Sequence, residues 1–183
     1  MRGRREPDLR EVEAKVLDID RTAVELKLAE LGVIVGPEQS FSAVFFDFPD
    51  GRLGTAGLLL RLRREGDRSF VTSKRRVPEE EMKVREETEV EVAGFEECRS
   101  LLTSLGFVET TRVDKFRASC RLGNASVVID RHAGELSFIP ELLEIEAGSA
   151  EEVRSVAARL GFSPNQLRPW GLAQLVDHYR RRG

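Results

Sequence analysis

The chain has 183 residues, enough to bury a core without disulfide or metal staples, and a single domain over residues 1–183 is expected. Apolar residues make up 40 % and charged residues 33 %; 29 Lys plus Arg against 32 Asp plus Glu leave a net charge of −3, which argues against a basic nucleic-acid-binding domain and an acidic disordered tail. No apolar run approaches the ~20 residues of a membrane helix, residues 1–7 are basic with no apolar segment behind them as a secretory signal would have, and Cys98 and Cys120 lack metal-site or disulfide-framework spacing, so a cytoplasmic chain with two free thiols is expected.

Along the chain, period-two alternation predicts a first strand over residues 9–17. Residues 21–31 read as a helix with Val24, Leu28 and Leu31 on one side. A strand over 42–48 leads to a loop with Gly51, Gly54 and Gly57, which lacks the Lys-Ser or Lys-Thr ending of a phosphate-binding loop. Strands over 58–65 and 69–75 flank the turn signal Glu65-Gly66-Asp67, and another strand covers 82–92. A helix over 95–105 gathers Phe95, Cys98, Leu101, Leu102 and Leu105. Strands over 115–122 and 125–131 flank the hairpin signal Gly123-Asn124, and the last strand covers 142–147. Residues 150–160 form a helix with Val153, Val156, Ala157 and Leu160 together, and a final helix over 172–180 follows Pro169.

Three stretches share one plan of strand, helix and glycine: Glu11-Val12-Glu13 to Leu31-Gly32, Glu89-Val90-Glu91 to Leu105-Gly106-Phe107, and Glu144-Ile145-Glu146 to Leu160-Gly161-Phe162. Each glycine stands where a helix-ending left-handed residue belongs, so the chain reads as assembled from similar strand–helix units.

The strands carry full charges on their polar faces. Glu11, Glu13 and Lys15 share a face against Val12, Ala14 and Val16; Arg61 and Arg63 oppose Leu58, Leu60 and Leu62; Arg85, Glu87, Glu89 and Glu91 oppose Val90 and Val92. Lys115 and Arg117 oppose Phe116 and Ala118, and Glu144 and Glu146 oppose Leu143 and Ile145. The amphipathic helices can cover the apolar faces. The charged faces either meet solvent or line the interior of a closed sheet. Runs of like charge on one face favour the second, because a polyanion on the cations and a divalent metal on the carboxylates relieve both repulsions together. Hard carboxylate donors suit Mg²⁺ or Mn²⁺, and forked arginines suit phosphate.

These residues resemble the CYTH family, the triphosphate tunnel metalloenzymes. Glu11-Val12-Glu13-Ala14-Lys15 is similar to its ExExK signature, and the likeness continues in order through Phe45-Phe46-Asp47, Leu60-Arg61-Leu62-Arg63, Thr72-Ser73-Lys74, Arg85-Glu86-Glu87-Thr88-Glu89, Lys115-Phe116-Arg117, and Asp130 with Glu144-Ile145-Glu146. The resemblance implies an α+β fold: an eight-stranded antiparallel closed β tunnel, a barrel with helices packed outside. It implies triphosphate held by Lys15, Arg61, Arg63, Lys74, Arg85, Lys115 and Arg117. It places Mg²⁺ or Mn²⁺ on Glu11, Glu13, Asp130, Glu144 and Glu146, with Lys15, Glu87 and Glu89 at the chemistry. The chain departs from the pattern where Arg75-Arg76 replaces Gly-Pro and where Ile139-Pro140-Glu141-Leu142 precedes the last Glu-x-Glu; Arg180 is the candidate for a basic residue from the final helix.

Other candidates read as structure. His132 and His178 lack metal-pair spacing, Ser69, Ser73 and Ser119 have no His–Asp partnership, and Phe41, Phe45 and Phe46 pack in the core by default. Three functions remain. The first is a metal-dependent triphosphatase acting on inorganic, nucleoside or thiamine triphosphate. The second is a class IV adenylate cyclase making cyclic AMP and pyrophosphate from ATP. The third is a non-catalytic module for polyphosphate or nucleotide. The expected partner is a small-molecule triphosphate, with neither membrane nor nucleic acid, and a homodimer stays open.

Overall fold

Each alternating segment becomes a strand in the computed structural model, which describes residues 10–77 and 83–182. The strands are β1 (Arg10–Val16), β2 (Gln39–Asp47), β3 (Leu58–Glu65), β4 (Arg68–Val77), β5 (Lys83–Val92), β6 (Val108–Leu122), β7 (Ala125–Ala133) and β8 (Leu142–Ala147). The helices are α1 (Arg21–Glu30), α2 (Arg52–Thr55), α3 (Phe95–Ser104), α4 (Ala150–Arg159) and α5 (Leu172–Arg180). β3 and β8 match the alternation residue for residue. β6 starts seven residues before the expected Lys115, because Val108–Arg112 pairs with β2 while exposing most of its side chains, which leaves no alternation to read. The Gly51–Gly57 connection holds the single turn α2, capped by Asp47, whose Oδ1 accepts from the amides of Phe48 (2.7 Å) and Leu53 (2.9 Å).

All pairing is antiparallel, in the order β1-β5-β4-β3-β2-β6-β7-β8, and β8 pairs back onto β1. Both hairpin signals hold: Leu122 pairs with Ala125 around Gly123-Asn124, and Glu65 with Arg68 around Gly66-Asp67. The three strand–helix units end alike. Gly32, Gly106 and Gly161 take φ of +76°, +90° and +90°, and the next amide (Val33, Phe107, Phe162) reaches back to the carbonyl of Leu28, Leu102 or Ala157 at 2.9, 3.2 and 2.9 Å. This is the Schellman closure, in which the left-handed residue lets the chain satisfy orphan carbonyls and turn back to the sheet.

Helices cover the apolar strand faces. α1 and α4 lay Val24, Leu28, Val153, Val156 and Ala157 on Val12, Ala14, Val16, Val127, Ile129, Leu143 and Ile145. α3 sets Leu102, Phe95 and Cys98 against Val44, Phe46, Leu62 and Leu60. Each fully buried Leu or Val contributes about 1.5–3 kcal/mol, so this outer layer supplies much of the drive to curl the sheet.

Among the described residues β1 and β5 pair over Arg10–Glu13 with Lys83–Glu86, and beyond them Lys15 exchanges both backbone hydrogen bonds with Arg168 (2.9 and 2.8 Å). β1 is thus hydrogen-bonded on both sides, to β8 and to β5, within the curled eight-stranded sheet. The expectation that all helices pack outside the barrel is corrected by α5. α5 does not join the outer layer: Leu172, Leu175, Val176 and Tyr179 pack on Phe41, Ala43, Val113, Leu136, Ile139 and Leu142, at one end of the curl. The reason is that the faces carrying the charges turn apolar there, as Phe41-x-Ala43, Val113 before Lys115, and Leu142 before Glu144. Tyr179 fixes the helix by donating its hydroxyl to Asp18 Oδ1 at 2.8 Å.

Candidate functional site

The concave face of the sheet encloses a cavity of about 360 Å³, lined by six cations (Lys15, Arg61, Arg63, Lys74, Lys115, Arg117) and six carboxylates (Glu13, Glu65, Glu87, Glu89, Glu144, Glu146) among the described residues. Period-two alternation puts them there, since each charged run shares one strand face whose opposite face is pinned under helices.

On one wall, β1 and β8 run side by side with Glu13 opposite Glu146 and Lys15 opposite Glu144. One carboxylate oxygen from each of Glu13, Glu144 and Glu146 lies within 4.8 Å of the others. Like charges directly across a ladder are destabilising. Lys15, almost fully buried, relieves part of this by donating to Glu13 Oε1 at 3.3 Å and to Glu144. The remainder shows in Glu146, whose carboxyl is pushed above the usual range by burial and then by Glu144. Three converging hard oxygens with residual repulsion could hold a divalent cation, so the residues fit such an ion.

The facing wall comes from β3, β4 and β5. Arg63 grips Glu89 with two nitrogens, Nε to Oε2 at 3.2 Å and Nη2 to Oε1 at 2.9 Å, and also reaches Glu65. Glu89 accepts from Thr72 Oγ1 at 2.7 Å; burial works against its ionisation, but Arg63 and Thr72 outweigh it and hold the carboxyl low. Lys74 pairs with Glu87. Arg61 sits 3.7 Å from both Glu87 and Glu89, and its buried Nε has no hydrogen-bond partner. Burial, with Arg63 next, disfavours the charge on Arg61, a cost that an added anion would offset.

At the floor, Arg117 holds Asp130 through a fork (2.8 and 2.9 Å), and Lys115 donates to the same carboxylate. Burial pulls Lys115 down to about 8, with Arg117 adding to the effect. Burial would raise Asp130, yet Lys115 and Arg117 keep it below the usual carboxylate range. His132, next along the floor, is pushed down to about 4 by burial and then by Lys115, and its Nδ1 has no partner.

Eleven of the residues singled out in the sequence therefore share one cavity: Lys15, Arg61, Arg63, Lys74, Lys115, Arg117, Glu13, Glu87, Glu89, Glu144 and Glu146. Asp130 does not join the Glu13–Glu144–Glu146 group; its oxygens are occupied by Lys115 and Arg117. Glu11 and Arg85 face one another in the β1–β5 register, and their side chains lie outside the described residues. Glu65 was not singled out, although it continues the Arg61–Arg63 face by the same period. Phe41 and Phe45 pack in the cluster under α5, as the default reading had them, and also line the cavity; Phe46 faces α3. His132 was read as surface or packing and proves buried beside the floor.

Residues 9–168 match the family model described as the CYTH domain. The chain is 30 % identical over 120 residues, 66 % of its own length and 69 % of the relative's, to a Methanocaldococcus jannaschii protein named "Putative adenylate cyclase MJ0240". Among solved structures it resembles the PH1012 protein from Pyrococcus horikoshii OT3, with a TM-score of 0.75 at 24 % identity over 90 % of this chain and 98 % of that one. It also resembles the Hippeastrum protein HpAC1, described as an adenylyl cyclase candidate with a dominant triphosphatase activity, with a TM-score of 0.65 at 16 % identity over 94 % of this chain and 95 % of that one. These two likenesses speak to the fold, and the family model covers residues 9–168: the chain belongs to the CYTH family.

Proposed function

We propose that the chain is a metal-dependent phosphohydrolase that cleaves the terminal phosphoanhydride of a triphosphate held in the charged cavity. The observation that carries this reading is the pairing, inside about 360 Å³, of a bank of six cations with the converging oxygens of Glu13, Glu144 and Glu146. A triphosphate would give Arg61 Nε the acceptor it lacks and take over Arg63, Lys115 and Arg117 from the carboxylates they now hold, with its terminal groups at Lys15 and Lys74.

Glu13, Glu144 and Glu146 would hold Mg²⁺ or Mn²⁺, which supplies charge neutralisation on the transferring phosphoryl group when bound. The chain's own residues do the rest. Arg61, Arg63, Lys115 and Arg117 fix the phosphate chain, and positioning and electrostatics provide most of the rate in phosphoryl transfer. Glu87 and Glu89 orient a water for in-line attack, and one of them takes its proton. The water oxygen bonds to the terminal phosphorus, the bridging bond breaks, and its electron pair leaves on the diphosphate oxygen beside the arginines. The activity in the description of the Hippeastrum protein supports hydrolysis.

The name of the Methanocaldococcus relative favours a second reading, in which a ribose 3′-hydroxyl of ATP attacks the α-phosphorus and pyrophosphate leaves. Phosphate release from tripolyphosphate, ATP and thiamine triphosphate, measured with Mg²⁺, Mn²⁺ or EDTA alongside cyclic AMP, separates the two. Metal-dependent phosphate without cyclic AMP supports hydrolysis. Cyclic AMP with pyrophosphate replaces it by the second reading, and retained binding without turnover makes the chain a binding module.

A further inference from the structure

The carboxylates of the cavity are neutralised in two ways. Arg63 and Arg117 each hold one carboxylate, Glu89 and Asp130, through two nitrogens. The converging trio Glu13, Glu144 and Glu146 is served instead by a lysine. Lys15 Nζ donates to Glu13 Oε1 at 3.3 Å and to Glu144 Oε2, while Arg117 Nη2 stands 3.7 Å from Glu144 Oε1. Parity and register put the ammonium there: Glu13 shares its strand face, and Glu144 stands opposite it on β8.

The difference matters because a lysine is readily withdrawn. An arginine fork is fixed by two parallel bonds, whereas an ammonium is a point charge on a flexible stem that can turn to another partner. The stem alone needs to move, since the Lys15 backbone is pinned by β8 on one side and by both hydrogen bonds with Arg168 on the other (2.9 and 2.8 Å). An ammonium and a divalent cation compete for the same carboxylates, because each uses the negative charge that the other would neutralise. Burial sharpens this competition: Lys15 is 7 % exposed, so salt and water screen it little.

We infer that Lys15 is a built-in competitor of the divalent cation: its ammonium holds the carboxylate trio, and the cation gains its full affinity once a triphosphate draws that ammonium onto its own oxygens. This rests on the reading of the charged cavity as a metal and triphosphate site, and adds that the two ligands load together. By linkage, the factor that triphosphate adds to cation affinity is the factor that the cation adds to triphosphate affinity.

The test uses the full chain with Mn²⁺ as the probe, its binding read from the paramagnetic resonance of the free ion in the absence of phosphate. Lys15→Gln and Lys15→Met should each bind Mn²⁺ at least tenfold more tightly than the parent, and the gain should vanish when Lys15→Gln is combined with Glu146→Gln. Lys115→Gln removes the same charge from the same cavity, but from a lysine bonded to Asp130, and should gain less than threefold. Imidotriphosphate, which resists hydrolysis, should bind the parent more tightly in saturating Mn²⁺ than in EDTA, and this tightening should be about tenfold smaller in the Lys15 variants. In thermal unfolding those variants should lose stability in EDTA and regain it with Mn²⁺, whereas loss of a merely structural lysine would lower it in both. Unchanged or weaker Mn²⁺ binding, a gain matched by Lys115→Gln, equal tightening of imidotriphosphate, or variants that stay unfolded in saturating Mn²⁺ overturns the inference. Turnover separates it from the hydrolase: the expected Mn²⁺ gains in a chain that releases no phosphate from tripolyphosphate uphold the competitor and remove the hydrolase, and Mn²⁺-dependent release with unchanged Mn²⁺ affinity does the reverse.

Discussion

Replacing Glu146 with Gln tests the carboxylate cluster at its most crowded point. Glu146 faces Glu13 across the β1–β8 ladder, and the oxygens of Glu13, Glu144 and Glu146 converge within 4.8 Å. Two unit charges at that separation repel by ~3 kcal/mol at an effective dielectric constant of ~20. Glu146 meets two such partners, while Lys74 and Arg117 draw on it in the opposite sense. The net gain from removing its charge is therefore a fraction of the gross term, about 1 kcal/mol in the metal-free protein, or roughly 2–4 °C in Tm for a domain of this size. With metal the ranking reverses. A cation at 100 times its Kd stabilises the parent by about 2.7 kcal/mol, and the variant, one charged ligand short, should gain much less. Differential scanning calorimetry in EDTA and with increasing Mn²⁺ reads both effects in one series. A Glu146→Gln protein less stable than the parent in EDTA, or equally stabilised by Mn²⁺, would show that these oxygens neither repel nor share an ion.

Arg63→Ala should raise KM for triphosphate by at least tenfold, with a smaller effect on kcat, since it removes a forked phosphate donor; an unchanged saturation curve would refute that role. Leu28→Ala, at a fully buried site between α1 and the sheet, should cost about 2–5 kcal/mol in urea unfolding, and a loss under 1 kcal/mol would mean that α1 does not anchor the wall. Tyr179 is the sole tyrosine, so phenolate absorbance reports α5 alone. Burial and then the bond to Asp18 raise its pKa in the folded state, so this contribution to stability is present below the unfolded value near 10 and is lost as pH climbs through the folded value. The folded chain should show no phenolate transition at pH 10, whereas the urea-unfolded chain should; coincident titrations would place α5 away from Asp18.

Much of the cavity was legible because two periodicities agree. Alternation puts Glu13 and Lys15, Arg61 and Arg63, and Glu144 and Glu146 on the faces their helices do not cover, and curling turns those faces toward one another. The three glycines after α1, α3 and α4 could be read as caps because only a left-handed residue closes those helices. Other features depend on contacts distant in sequence. Nothing in Leu172–Arg180 tells an outer amphipathic helix from one that packs at the end of the curl; that follows from its fit to Phe41, Val113 and Leu142. The capture of Asp130 by Lys115 and Arg117 follows from the β6–β7 register, and Arg168 takes the edge of Lys15 across more than 150 residues of chain. Glu65 was readable by parity and was passed over because it stands at a turn.

The central claim is that one concave sheet face gathers a triphosphate and a divalent cation onto opposite banks of charge. Anomalous diffraction from crystals soaked with Mn²⁺ and tripolyphosphate tests it directly. The account predicts a manganese peak within bonding reach of Glu13, Glu144 and Glu146 and phosphorus density along Arg61, Arg63 and Arg117; manganese bound outside the cavity, or phosphate on the convex surface, would contradict it.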